Sequence, residues 1–236
     1  MFNPFTTAAF VAAVGLMAVQ LLVGRLHLVE ALPRRVWVSF AAGVSIAYIF
    51  VDLLPELFAK AGRRDTVELV SLVALLGLTV AYALERLALH GRRPHAGDRI
   101  QAPPASIFWL HVSGFAVYNA LIGIVMLHVE PPTVTTLAGF AVAMAFHMAV
   151  NDVGLREHHR DLFDRIGRPV LAAAVPAGWA IGWAAAPSRD VLLPGAFLAG
   201  GVLLNSIKGE LPAEHDVWLW AFVLGEVLYG ALLLAL

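Results

Sequence analysis

The stretch Phe146-His147-Met148-Ala149-Val150-Asn151-Asp152 lies near the middle of a long apolar run. His147 and Asn151 are four residues apart, so on a helix they share one face, about one turn apart. Asp152 sits beside that face, about 100° round. If the run crosses a bilayer, an imidazole, an amide and a carboxylate lie at membrane depth. Groups of this kind are costly there and mark a functional site, unless they only pair with neighbouring helices.

Composition says that the run does cross. The chain has 236 residues, 60% of them hydrophobic and 14% charged, with a mean hydropathy of +0.78. Soluble domains carry roughly 45–50% apolar and about 25% charged residues. The formal net charge is −1, so neither nucleic-acid binding nor a polybasic lipid-binding surface is indicated. There is no cysteine, which excludes disulfides, thiolate catalysis and sulfur-rich metal sites. Met1-Phe2-Asn3-Pro4-Phe5 lacks the basic start of a signal peptide, so the first apolar segment is expected to be retained.

A spanning helix needs about 20 mostly apolar residues. Eight segments meet this, at roughly 5–27, 35–58, 67–89, 105–128, 133–155, 169–186, 191–211 and 216–236, making one transmembrane domain over 1–236. Orientation follows the basic residues. Arg25, Arg34, Arg35, Arg86, Arg92, Arg93, Arg99, Arg156, Arg160, Arg165 and Arg168 lie on one side, 11 in all. Lys60, Arg63, Arg64 and Arg189 lie on the other, and Lys208 falls within a span. Loops 1–2, 3–4 and 5–6 should therefore be cytoplasmic, with both termini outside.

Spans 2 and 7 echo each other. Gly43-Val44 is followed, nine residues after the glycine, by Asp52-Leu53, then Pro55 and Glu56. Gly201-Val202 is followed at the same spacing by Glu210-Leu211, then Pro212 and Glu214. The two spans run in opposite directions. A shared pattern in opposite orientation suggests an inverted repeat, as in secondary transporters; the plainer reading is small-residue packing with a helix-ending Leu-Pro that arises twice.

These spans also resemble a known family. The run from Phe40-Ala41-Ala42-Gly43 to Leu53-Leu54-Pro55-Glu56 is similar to the second helix of the zinc–iron permease (ZIP) family, which reads FAAG…hLLPE. Ala199-Gly200-Gly201 through Asn205, Lys208 and Glu210 resembles its seventh helix, and Val175-Pro176-Ala177-Gly178 to Gly182 its sixth, usually EPLGAxIG. The resemblance covers essentially the whole chain. It implies an all-α bundle of eight transmembrane helices, with an inverted repeat of helices 1–3 and 6–8 around helices 4 and 5. It implies transport of zinc, iron or manganese by alternating access, with no cofactor required and no enzymatic activity. The location implied is the bacterial inner membrane. Partners are the lipid bilayer and the metal-ion substrate, with no nucleic acid and with a homodimer allowed.

In that family the metal site lies halfway through the membrane, on patterns like HNxPEG in helix 4 and HExPEG in helix 5. Here helix 4 reads Tyr118-Asn119-Ala120-Leu121-Ile122-Gly123, so Tyr118 replaces the histidine and Ile122 the acid. Helix 5 keeps His147, but Met148 and Asn151 stand where the acids would be, and Val175 takes the acid position of helix 6. By this match the metal ligands are His147, Asn119 and Asn151, all neutral, with Asp152 able to restore charge if its helix rotates. A dication normally meets anionic oxygen and imidazole, which offset its dehydration. Met148 adds a thioether, better suited to soft ions or to packing.

Around this site Asp52 and Glu210 are expected along the transport pathway, outer and inner respectively, or simply at helix ends. Tyr118 should hydrogen-bond across helices. Lys208 either snorkels to the cytoplasmic surface or pairs with Asp152. His111 and His128 flank span 4 at the interface, and Glu157-His158-His159 follow span 5. Two rivals to the metal carrier stand. One is a member that has lost the metal site and carries another substrate or does not transport. The other is an intramembrane hydrolase using His147 and Asp152, disfavoured because zinc hydrolases need three protein ligands and no HExxH is present.

Overall fold

A computed structural model describes residues 3–23, 33–90, 105–185, 191–208 and 218–235. Among these residues every regular element is helical. Helix α1 (Pro4–Leu22) is followed by α2 (Arg34–Tyr48), which passes through a π turn (Ile49–Leu53) into α3 (Leu54–Ala61). Then come α4 (Arg64–His90), α5 (Ala105–Val125) with a closing 3₁₀ turn (Met126–His128), and α6 (Val134–Leu162). A second π turn (Phe163–Gly167) leads into α7 (Arg168–Ala184), followed by α8 (Leu192–Lys208) and α9 (Leu219–Ala235). Among the described residues five helical stretches are long and apolar enough to cross a membrane, and α8 and α9 are shorter apolar helices.

Local chemistry explains where the helices start and bend. Asn3 caps α1 by accepting the Thr6 backbone N–H at 2.6 Å, with Pro4 in the first turn, where its missing N–H costs nothing. Thr133 caps α6 in the same way through Thr136 at 3.1 Å. Each π turn ends two residues before a proline, Pro55 or Pro169. A proline inside a helix cannot donate to the carbonyl four residues back and crowds it, and a widened turn relieves that contact.

The 51-residue helical stretch from Val134 to Ala184 is not one rod. Arg160, at φ 45° and ψ −127°, breaks it. A straight helix would separate Asp152 and Arg168 by about 24 Å, yet their side chains meet at 2.9 Å. The chain therefore folds back at Arg160, which brings the start of α7 to Asp152 of α6; beyond that contact α7 packs against α5 and α1. The fifth predicted segment ends at 155, several residues short of this reversal.

Three helix crossings are made backbone to backbone by paired glycines. A Cβ on Gly43 of α2 would strike the Phe222 carbonyl of α9, and one on Gly225 of α9 would strike the Phe40 carbonyl of α2. Gly77 of α4 and Gly200 of α8 stand in the same relation, against the carbonyls of Phe197 and Ala74. Gly123 of α5 and Gly178 of α7 form the third pair, against Val175 and Ala120. Apolar side chains gain nothing by leaving lipid for one another, so helices in a bilayer associate through such close packing and weak Cα–H···O contacts.

The outer surface is apolar. Leu72 of α4 is 63% exposed and Val227 of α9 is 60% exposed, with Leu69, Leu75, Leu76, Val223 and Leu228 exposed beside them. Such a surface is stable in hydrocarbon rather than water. The chain is an all-α protein with several long apolar helices, as a membrane location requires.

Candidate functional site

Helix α6 carries the central polar groups inward. His147 and Asn151, one turn apart, are both buried, and the Asn151 amide Nδ2 donates to His147 Nε2 at 2.9 Å. That nitrogen must present its lone pair, so the ring proton of the neutral imidazole sits on Nδ1. The other end of the same amide, Asn151 Oδ1, is buried and accepts no hydrogen bond. An orphaned acceptor in such a place costs about 1–3 kcal/mol, which makes it the clearest candidate to receive a ligand. Met148, beside His147, is 1% exposed and packs into the apolar core.

Asn119, on α5, is also buried, but its Nδ2 donates to the Leu171 carbonyl of α7 at 2.9 Å. Its amide thus ties α5 to α7 close to the Gly123–Gly178 crossing. Tyr118, one residue earlier, reaches α4, where its hydroxyl donates to the Gly77 carbonyl at 2.8 Å. Its ring stacks on Phe197 with centroids 5.4 Å apart. It also fills the space where a side chain at residue 201 would lie, so Gly201 of α8 makes room for it.

Asp152 faces a different set of partners. Arg168, at the start of α7, grips both carboxylate oxygens, Nε to Oδ1 and Nη2 to Oδ2, each at 2.9 Å. Gln20 of α1 donates to Oδ1 at 2.8 Å. Arg168 also pairs with Asp164 at 2.8 Å, and Arg156 donates to Asp164 at 3.1 Å. Two carboxylates and two guanidinium groups balance, so this network has no net negative charge to offer a cation. Arg168, counted by sequence among the loop arginines, is 8% exposed and closes Asp152, the acid nearest His147 in the sequence.

Lys208 does not pair with Asp152. Its ammonium lies 2.7 Å from Glu85 Oε2 on α4 and 5.6 Å from the Phe115 ring centre. Beside this pair stand three histidines from two helices. His111 of α5, which sequence placed at the interface, is 2% exposed. Its Nε2 bonds the Leu84 carbonyl and its Nδ1 bonds His159 Nε2, both at 3.0 Å. His158 Nε2 lies 3.9 Å from Glu85 Oε1.

Asp52 stands half-buried within the first π turn, four residues before Glu56. Glu56 pairs with Lys60 at 2.6 Å, and Lys60 also donates to the His128 carbonyl at 2.9 Å, closing α3 onto the end of α5. Glu210 lies outside the described residues. The structure thus brings together His147 and Asn151, and turns Asn119 and Asp152 to other partners. Among the described residues, no three His, Asp or Glu side chains converge as a metal ion would need.

Gln20, Glu85 and Arg168 escaped the sequence reading. Gln20 had a signal, as a lone amide in the otherwise apolar second half of α1. Glu85 and Arg168 lie near span ends, where charge is ordinary, and only their partners distinguish them. The chain matches no family model and no curated protein.

Proposed function

We propose that the chain is a ZIP-like membrane transporter of eight spans, with the first three and last three related as inverted halves. The cargo is a divalent metal ion of the zinc, iron or manganese class. It passes by alternating access through a central site on α5 and α6, around His147, Asn151 and Asn119. The termini lie outside and the basic loops inside, in a bacterial inner membrane, and the chain is a carrier rather than an enzyme.

The observation that carries this reading is the pairing of helices by glycine. Exchanging the first span with the sixth, the second with the seventh and the third with the eighth turns the α2·α9 crossing into the α8·α4 crossing. Both crossings are glycine pairs in which each glycine faces the carbonyl three residues before its partner, Gly43 with Gly225 and Gly200 with Gly77. This pairing equates Gly43 with Gly200, one residue from the Gly43–Gly201 match in the sequence echo. Inverted halves that rock about a fixed central site are the usual basis of alternating access. The fold-back at Arg160 supports the count of eight, because it divides one long apolar stretch into two antiparallel spans.

A second reading rests on Asp152. With its carboxylate held by Arg168 and Gln20, the central site offers a bound dication an imidazole and amide oxygens only. An ion of charge +2 would then be poorly compensated in a medium of low dielectric. A ZIP-like protein that carries another substrate, or does not transport, fits this closure.

Uptake of zinc, manganese, iron and cadmium into proteoliposomes separates the readings, with wild type run beside His147→Ala and Asp152→Ala. Flux lost in His147→Ala supports the metal carrier. If no metal moves and none is bound by elemental analysis, the metal reading fails and the second stands.

A further inference from the structure

The cluster around Glu85 holds a gap that its own hydrogen bonds define. His158 Nδ1 lies 2.7 Å from the Gly154 carbonyl, which can only accept, so this nitrogen carries the ring proton. In the neutral ring Nε2 is therefore a bare lone pair. It is buried, makes no hydrogen bond, and faces Glu85 Oε1 at 3.9 Å. A lone pair thus confronts a carboxylate oxygen with no hydrogen between them. That is the arrangement of a site awaiting a small cation.

The neighbours decide which cation. His111 donates from Nε2 to the Leu84 carbonyl, so its Nδ1 accepts from His159 Nε2. That bond occupies His111 Nδ1 and His159 Nε2, the two nitrogens by which these rings meet. The ammonium of Lys208 already lies 2.7 Å from the other Glu85 oxygen. A dication between His158 and Glu85 would have two protein ligands and an ammonium as neighbour, and no three-ligand group exists among the described residues. A proton needs neither a third ligand nor a second charge. Histidine is also the side chain whose ordinary titration falls between pH 5 and 8.

We propose that His158 and Glu85 form a proton-binding site at the Lys208 end of the helix bundle, in which a proton on His158 Nε2 competes with Lys208 for the Glu85 carboxylate. Among the described residues, the titratable groups that act on the acid are Lys208 from α8, His158 from α6 and His111 from α5. When the proton is absent, Glu85 ties α4 to α8 through Lys208. When it is bound, the imidazolium shares or takes that carboxylate, and the tie from α4 passes to α6. The inference does not depend on what the carrier moves.

The test is a pH titration of the full-length protein in nanodiscs, with 15N-labelled histidine rings followed by NMR and His158 assigned by its loss in His158→Gln. At high pH, His158 is expected as the Nδ1–H tautomer, and on acidification it should become an imidazolium. Glu85→Gln removes the attracting charge and should lower the midpoint by about one pH unit or more. Lys208→Met removes the competing cation and should raise it. The shifts have opposite sign, and either variant alone is decisive should the other not fold. A His158 that stays neutral down to pH 5, begins in the other tautomer, or titrates at a midpoint indifferent to the folded variant would overturn the proposal.

Discussion

Replacing Arg168 with methionine keeps the length of the aliphatic stem and deletes the guanidinium that grips Asp152. The carboxylate is 2% exposed, and among the described residues two of its three side-chain hydrogen bonds come from Arg168 and the third from Gln20. Breaking a buried pair from one side costs about 3–5 kcal/mol, because a charge is left without compensation. The remaining Gln20 bond and the position of Arg168 at a helix start place the expected loss near the lower bound, about 3 kcal/mol. Asp152→Asn in the Arg168→Met background removes the stranded charge, and most of the loss should return. Unit charges 4 Å apart attract by about 4 kcal/mol at an effective dielectric constant of 20, so a coupling of about 2–4 kcal/mol is expected. Reversible unfolding in mixed micelles, on wild type, both single variants and the double variant, measures it. Additivity within about 0.5 kcal/mol would show that the contact does not hold α6 to α7, and the account of this network would fall.

The same pair bears on cargo. If Asp152 supplies charge to a dication, Arg168→Met should bind zinc at least about tenfold more tightly, a gain of about 1.4 kcal/mol, and the double variant should not. Equal affinities by calorimetry would exclude Asp152 as a ligand. The glycine crossings give a stability contrast. Gly200→Ala drives a Cβ into the Ala74 carbonyl and must part α4 from α8, at about 1–3 kcal/mol. At Gly15→Ala, where a Cβ meets nothing within 4 Å, the helix should gain about 0.5–1 kcal/mol. Equal effects at the two sites would refute close packing at the crossing. Tyr118→Phe should cost about 0.5–1.5 kcal/mol through loss of the bond to the Gly77 carbonyl; an unchanged melting temperature would count against that bond.

The sequence was most legible where the physics is local or averaged over many residues. Hydropathy over about 20 residues marks the apolar segments without reference to any contact, because the bilayer sets their length. The spacing of His147 and Asn151 places them on one face of a helix by geometry alone, and the structure joins them directly. Glycine at residues 43, 123 and 178 stands in the stretches quoted for the family resemblance, and each meets backbone from another helix.

What sequence could not decide is which charge meets which. Depth alone allowed Lys208 to pair with Asp152, and both do lie toward the same end of the bundle. The partner is chosen by the rotation of each helix about its axis and by which helices are neighbours. Those are set by the glycine crossings, which put α8 against α4, and so Lys208 against Glu85. The reversal at Arg160 likewise depends on one backbone conformation, and no hydropathy window detects it. It carries Arg168 back to Asp152 and turns a candidate metal ligand into half of an ion pair. Composition and periodicity therefore determined that polar groups lie within apolar helices, because burying them carries a cost that shows in any window of sequence. Only the tertiary structure decided whether that cost is met by a ligand or by a neighbour, because pairing energy depends on distances of a few ångströms between residues far apart in the chain.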